Sequence, residues 1–167
     1  KVVKGVNFKN IKVMGNAVEM AKKYSSTGAD ELCMLDINAS YQNRKTFIKT
    51  VEAIAKVVNI PLTVGGGISE INDITDLLNA GADKVSINSA AVKNPKLIRQ
   101  ASLKHGSQCI VVAIDAKRHG KQMKVVIKGG REITNKELVS WAKRVHQLGA
   151  GEILLTSMDT DGVQKGF

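Results

Sequence analysis

The stretch AGADKVSINSAAV, residues 80–92, decides the fold because versions of it occur three times in the chain. The other two are TGADELCMLDINAS at residues 27–40 and LGAGEILLTSMDTDG at residues 148–162. Each has a Gly-Ala pair, typical of a helix end, followed by an apolar strand and then by small polar residues. This repeat predicts βα modules that gather polar chemistry at the carboxyl ends of parallel strands.

Outside these segments, apolar strand patterns alternate with helical patterns. The predicted strands are residues 31–35, 62–64, 84–87, 109–114 and 152–156, and the predicted helices are residues 17–27, 46–58, 70–79, 95–104 and 135–148. Such alternation predicts right-handed βαβ units and a parallel sheet. The repeat favours an α/β fold of the TIM-type barrel class, with a flavodoxin-like sheet as the alternative.

Composition limits the classes of function. The chain has 167 residues, of which 43% are hydrophobic and 24% charged, as expected for one globular domain. A net charge of +10 indicates anionic partners, either nucleic acid or a phosphorylated small molecule. Aromatic residues make up only 4%, which argues against a stacking platform for single-stranded nucleic acid. No apolar run approaches the length of a membrane span, and residues 1–12 do not resemble a signal peptide.

The cysteines and histidines predict neither a disulfide nor a metal site. Cys33 and Cys109 lie in apolar strand patterns, so we expect buried free thiols in a reducing compartment such as the cytoplasm. The three histidines, at positions 105, 119 and 146, lack the spacing of metal ligands.

The segment PLTVGGGISE, residues 61–70, takes an apolar strand through three consecutive glycines to a predicted helix start. Glycine weakens a strand, so the run indicates that the backbone must be free of side chains at this place. With Ser69 as the helix N-cap, the arrangement suits an anion such as phosphate; the alternative is a tight turn without a ligand. A capping box from Thr134 to Glu137 predicts a later helix start.

Glu31, Lys84 and Glu152 occupy equivalent places in the three repeats. Their strands are every second one in the predicted order, and alternate strands of a barrel contribute side chains to the same interior layer. We therefore expect a ring of charges at the bottom of the barrel; the alternative is three surface residues at strand starts. Two negative charges against one positive require a further cation from outside this set.

Six motifs together closely resemble the cyclase-subunit family of imidazole-glycerol-phosphate synthase, a (β/α)8 barrel of histidine biosynthesis. They are VVKGVNF, ELCMLDINAS, TVGGGI, GADKVSINSAAVKNP, VVAIDAKR and GAGEILLTSMDTDGVQKG. The ordered set covers essentially the whole chain. The resemblance implies that residues 1–167 are a single domain, an incomplete barrel covering about strands 2 to 6, without strand 1 and strands 7 and 8.

The resemblance also implies an activity. Members of this family take ammonia from a glutaminase partner, which docks at the N-terminal face of the barrel. They convert a bis-phosphorylated ribulosyl-formimino aminoimidazole carboxamide ribotide into imidazole glycerol phosphate and aminoimidazole carboxamide ribotide. These steps require proton transfers, hence a general acid and a general base. Asp115 matches one of the two catalytic aspartates of the family. No cofactor, nucleic acid or membrane is implied, and the enzyme is expected in the cytoplasm.

Further residues match substrate contacts of the family: Lys4, Asp36, Gly67, Asn88, Ser89, Thr156, Asp161 and Gly162. Among them, Gly67, Asn88 and Ser89 would hold one phosphate, and Asp161 and Gly162 would lie near the second. Lys4 would belong to a mobile loop that closes over the substrate. In the same comparison, Glu31, Lys84 and Glu152 guard an opening for ammonia.

Two alternatives remain at the level of sequence. A phosphoribosyl isomerase of the same pathway shares the repeat and both phosphates, but it needs no ammonia route and so does not account for the charged ring. A basic protein that binds nucleic acid would show a steep loss of affinity with salt. No clustering of aromatic and basic residues supports it.

Overall fold

The computed structural model of the protein describes residues 2–6, 9–37 and 48–163. Its strands are β1 (Val2–Val6), β2 (Lys9–Gly15), β3 (Leu32–Leu35), β4 (Leu62–Gly65), β5 (Lys84–Ile87), β6 (Ile110–His119), β7 (Gln122–Ile127), β8 (Glu132–Glu137) and β9 (Glu152–Ser157). Its helices are α1 (Ala17–Ser26), α2 (Ile48–Ala55), α3 (Ile71–Asn79), α4 (Ser89–Lys93), α5 (Lys96–His105) and α6 (Leu138–Gln147), with a 3₁₀ turn at Ser107–Cys109. None of the helices in this part of the chain is long and apolar enough to cross a membrane.

The five predicted strands form one parallel sheet in the order β3, β4, β5, β6, β9, which is also their order in the chain. A flavodoxin-like sheet reverses its order at a switch point, whereas this sheet never does. The fold is therefore α/β with the sequential parallel order of a TIM-type barrel. Within the described residues the sheet does not close.

The core lies between the sheet and its helices. Strand residues Val64, Val85 and Ile114 and helix residues Ile74 and Ile98 are all 0% exposed. At the outer parallel strand β9 the packing is thinner: Ile153 and Leu155 are each 40% exposed. These two side chains share one face of β9, because side chains two positions apart point to the same side of a strand.

The structure shows a hairpin, β7–β8, that the sequence analysis did not predict. The predicted helix at residues 135–148 instead starts at Leu138, because the preceding residues are the second strand of this hairpin. The predicted capping box is wrong: Thr134 Oγ1 donates to the Val125 carbonyl oxygen across the hairpin, at 2.8 Å. Glu137 itself caps α6, accepting from the backbone amides of Val139 and Ser140.

Two local predictions also change. The N-cap of α3 is Glu70 rather than Ser69, and it forms a capping box with Asp73, whose Oδ2 accepts the Glu70 backbone amide at 3.1 Å. Cys33 is exposed and Cys109 half-buried, so the expectation of two buried thiols is wrong, although both are free. Near the amino terminus, β1 and β2 form a separate two-stranded sheet that was also not predicted. The start of the helix predicted at residues 46–58 lies outside the described residues.

Candidate active site and charged cluster

Asp115 lies on the part of β6 that pairs with the end of β9, and only 8% of it is exposed. Asn88, which directly follows β5, donates its side-chain Nδ2 to Asp115 Oδ2 at 2.8 Å. Thr156 of β9 stands opposite Asp115 in the strand register and is hydrogen-bonded to its carboxyl group. Three neighbouring parallel strands thus bring an acid, an amide and a hydroxyl together at one edge of the sheet.

Burial raises the pKa of Asp115 above its usual value. The hydrogen bonds from Asn88 and Thr156 oppose this shift because they stabilise the carboxylate, whereas the negative charge of Asp161 reinforces it. A carboxyl group that ionises at higher pH than usual suits proton transfer near neutral pH. The Oδ1 atom of Asn88 is buried and has no hydrogen-bond partner among the described residues. It can therefore accept a hydrogen bond from a ligand at this edge of the sheet.

The run of three glycines at the end of β4 packs against the end of β3. Asp36 donates its backbone amide to the Gly65 carbonyl oxygen at 2.9 Å. At Gly66, where φ is +102°, a Cβ atom would lie 2.5 Å from the Asp36 carbonyl oxygen. Close contact between backbones thus explains Gly66 and places Asp36 beside the glycine turn. Gly67 follows with a φ of +68°.

Replacing Gly66 by alanine should lower the free energy of unfolding by at least about 3 kcal/mol, from left-handed backbone strain plus overpacking against Asp36. Gly28 is the matched control, because its φ is +95° and a Cβ there would meet nothing within 4 Å. For Gly28→Ala we expect a loss of about 1 kcal/mol, from the backbone conformation alone. Urea denaturation of both variants measures the difference; equal losses would show that the Asp36 contact is not tight.

The remaining predicted site residues fall in two places. Ser89 follows Asn88 at the end of β5, and Asp161 lies close enough to Asp115 to act on its pKa. Gly162 comes next, with a φ of +72°. Lys4 lies in β1, where it pairs with Lys12 in the separate hairpin and not with the main sheet.

Glu31, Lys84 and Glu152, hereafter the charged cluster, meet at the opposite end of the strands. Lys84 Nζ lies 3.1 Å from Glu31 Oε2 and 2.6 Å from Glu152 Oε1. The side chains of the two glutamates are 40% and 49% exposed, and that of Lys84 is 19% exposed. The structure therefore brings together the three residues expected to form a ring, and it leaves the cluster open to solvent.

Thr63 of β4 completes the cluster, although the sequence analysis missed it. Its hydroxyl donates to Glu31 Oε1 at 2.7 Å, and this bond is the main reason that the pKa of Glu31 is lowered, with Lys84 adding to it. The hydrogen bond to Glu152 is the main reason that the pKa of Lys84 is raised. Glu31 and Lys84 both keep their charges at neutral pH. The signal for Thr63 in the sequence was a hydroxyl-bearing residue within a strand of otherwise buried apolar residues.

Asp83, next to Lys84, helps to fix the same end of the sheet. Its carboxylate accepts the backbone amide of Leu62 at 2.8 Å, which ties the start of β4 to that of β5. In the part of the chain that the structure describes, no group of three or more histidine, cysteine, aspartate or glutamate side chains is arranged to hold a metal ion.

A sequential parallel sheet with polar groups at the carboxyl ends of its strands is the arrangement of the TIM-type barrel class. The family model described as "Histidine biosynthesis protein" matches residues 1–167, and the chain belongs to this family.

The chain is also similar to curated proteins named "Imidazole glycerol phosphate synthase subunit HisF". It is 61% identical to that of Prochlorococcus marinus (strain MIT 9515), with 100% of this chain and 66% of the relative covered. It is 58% identical to that of Campylobacter concisus (strain 13826), again with 100% and 66% covered. The resemblance to the cyclase subunit is confirmed, and the chain spans about two thirds of the length of these relatives.

Proposed function

We propose that these residues belong to the cyclase of imidazole glycerol phosphate synthase, an enzyme of histidine biosynthesis in the cytoplasm. The reaction adds ammonia to the bis-phosphorylated ribulosyl-formimino aminoimidazole carboxamide ribotide and releases imidazole glycerol phosphate and aminoimidazole carboxamide ribotide. The observation that carries the proposal is the buried Asp115 carboxyl group, held by Asn88 at 2.8 Å at the carboxyl ends of the strands. The names of the relatives support it.

In this proposal Asp115 transfers protons as a general acid and base. Its raised pKa makes proton exchange with the substrate easier than for an ordinary aspartate, and its hydrogen bonds to Asn88 and Thr156 orient the carboxyl group. Ring closure and elimination need proton transfers on more than one atom of the substrate. A second proton-transfer group must therefore face Asp115 across the bound substrate.

The two phosphates of the substrate would bind at the same edge of the sheet. Gly67, Asn88 and Ser89 are proposed to hold one phosphate, and Asp161 and Gly162 to lie at the other. Asp36, Thr156 and Lys4 are proposed as further substrate contacts. The net charge of +10 supports an anionic substrate, since it raises the local concentration of anions around the protein.

We assign the charged cluster to the entry of ammonia at the N-terminal face, where a glutaminase would dock. A single lysine bonded to two carboxylates, one just before β3 and one at the start of β9, can swing between them, and this supports a gate. The domain would be the inner part of a (β/α)8 barrel, about strands 2 to 6. The exposed Ile153 and Leu155 side chains on β9 support a further covering layer.

The direct test is turnover of the full-length protein with ammonium chloride and the bis-phosphorylated ribulosyl substrate, followed by chromatography of the products. We expect imidazole glycerol phosphate and aminoimidazole carboxamide ribotide in equal amounts, and no product when ammonia is left out. Isomerisation of the preceding metabolite without any need for ammonia would instead assign the chain to the isomerase alternative.

A further inference from the structure

The loop of the β7–β8 hairpin, residues 128–131 and hereafter the bridging turn, lies at the active-site edge of the sheet. It follows the segment of β7 in which Val126 pairs with Asp115, so its position is tied to the proposed catalytic residue. Val126 is 0% and Ile127 3% exposed, which anchors the base of the turn in the core. None of the roles proposed above uses this turn.

One end of the bridging turn contacts the first proposed phosphate loop. The backbone amide of Lys128 donates to Ser89 Oγ at 3.1 Å. A serine hydroxyl has one proton to donate and lone pairs to accept with. Because the hydroxyl accepts from Lys128, its own proton remains free for an acceptor such as a phosphate oxygen. The bond also fixes where that hydroxyl stands.

The other end contacts the loop that carries the second proposed phosphate site. The Cε methyl group of Met158 occupies the space that a Cβ atom would take at Gly130. Met158 directly follows β9, and its backbone amide donates to the Ala116 carbonyl oxygen at 2.9 Å. Asp161 and Gly162 lie a few residues further along the same loop. One four-residue turn therefore contacts the loops on both sides of β6.

The bridging turn is held in its shape by its own contacts. Arg131 Nη1 donates to the Lys128 carbonyl oxygen at 2.7 Å, and Lys128 Nζ pairs with Glu132 Oε2 at 2.6 Å. Lys128 has a φ of +55°, a conformation that non-glycine residues adopt rarely and that clusters at functional sites. A turn that keeps its shape can hold its two contact points at a fixed separation.

We propose that the bridging turn fixes the distance between the two phosphate loops and so selects a substrate whose two phosphates span that distance. The inference rests on the proposed function, since it assumes both phosphates. The turn acts through Ser89 and Met158 and is a positioning segment rather than a catalytic one. A single phosphate binds at one loop and does not sense the span.

The test replaces residues 128–131 by Asn-Gly in the full-length protein. Asn-Gly makes a favourable two-residue hairpin turn that is too short to reach both loops. We expect KM for the bis-phosphorylated substrate to rise about tenfold or more, with kcat changed less than about threefold, because ground-state positioning is lost. Competitive inhibition by inorganic phosphate should weaken by no more than about threefold, because a single phosphate loses only the orientation of the Ser89 hydroxyl and is unaffected by the separation of the two loops.

The matched control is Gly120→Ala at the other end of the same hairpin, where φ is +60° and a Cβ would meet nothing within 4 Å. It should leave KM unchanged. Unchanged KM in the shortened variant, or equal weakening of inorganic phosphate, would overturn the proposal. An inactive parent protein would instead refute the proposed function.

Should the shortened hairpin not fold, Met158→Ala removes one contact of the turn and keeps the hairpin intact. Its control is Met123→Ala, which truncates a methionine near the far end of β7. We expect KM to rise about threefold for Met158→Ala and not for its control, with kcat and inhibition by inorganic phosphate preserved in both. An equal KM in the two variants would then overturn the proposal.

Discussion

Replacing Asp115 by asparagine should lower ammonia-dependent turnover of the full-length protein by at least about a thousandfold, because the site then lacks the proposed proton-transfer group. Asparagine has nearly the same shape and still offers an oxygen to Asn88 Nδ2, so the contact at 2.8 Å does not require the acid. The measurement is kcat and KM with ammonium chloride. Activity within about tenfold of the parent would contradict the catalytic role of Asp115.

Asp115→Asn should also change the stability of the protein, and the raised pKa of Asp115 determines the direction of that change. The folded-state pKa of Asp115 is raised, so its contribution to stability is fully present below the unfolded-state pKa and is lost as the pH rises through the folded-state value. At neutral pH the neutral asparagine should therefore leave the protein as stable as the parent or more so. Urea denaturation at a series of pH values from about 4 to 8 should show the gain growing as the pH rises above the ordinary aspartate pKa.

A control on α3 guards against a general effect of removing a negative charge. Asp76 is exposed, and Asp76→Asn should leave turnover unchanged. If Asp115→Asn proved inactive and also less stable than the parent at pH 8, its inactivity would reflect a damaged fold, and ionisation of Asp115 would not cost the protein stability.

The second large effect is expected at Lys84. Lys84→Ala should reduce glutamine-dependent turnover at least about tenfold relative to ammonia-dependent turnover, equal to about 1.4 kcal/mol of barrier. The reason is that the charged cluster lies at the strand starts, away from Asp115, where it would affect the delivery of ammonia and not its reaction. Both activities are measured on the full-length protein mixed with the proposed glutaminase partner.

Stability should change little in Lys84→Ala. The glutamate side chains are 40% and 49% exposed, so water screens the two ion pairs, and their loss should cost about 1 kcal/mol or less. Lys143→Ala, at an exposed position of α6, is the control for removing one positive charge. Equal losses of the two activities in Lys84→Ala would contradict the assignment of the cluster to ammonia entry.

The parallel sheet and the charged cluster followed from the sequence for a simple physical reason. The side-chain period of two along a strand fixes which residues share a face, and the repeat aligned Glu31, Lys84 and Glu152. The same reasoning placed Asp115, Asn88 and Thr156 at the other end of the strands. Because the parallel strands are neighbours in the sheet, residues at equivalent positions contact one another.

The β7–β8 hairpin was not predicted because its second strand, β8, contains a sequence pattern that is typical of a helix start. Thr134 and Glu137 have the spacing of a capping box, but the Thr134 hydroxyl bonds to Val125 in the facing strand instead. The sequence did carry a hairpin signal, in the β-branched run before the two glycines at positions 129 and 130.

The sequence patterns could not predict contacts between residues that lie far apart in the chain. The bond between Lys128 and Ser89 joins positions 39 residues apart, and that between Thr63 and Glu31 joins positions 32 apart. Neither pair is related by a strand or helix period, so only the folded sheet brings its members together. The proposed selection of a doubly phosphorylated substrate depends on the first of these bonds.

The most direct test is a crystal structure of the full-length Asp115→Asn protein with the bis-phosphorylated substrate bound. We expect a reacting atom of the substrate within about 2.6–3.2 Å of the side-chain amide introduced at position 115, the hydrogen-bond reach that proton transfer requires. One phosphate should lie at the Gly67 backbone and the Ser89 hydroxyl, and the other near Gly162. A substrate bound at the charged cluster, or with its phosphates away from both the Ser89 and the Gly162 loops, would contradict the account.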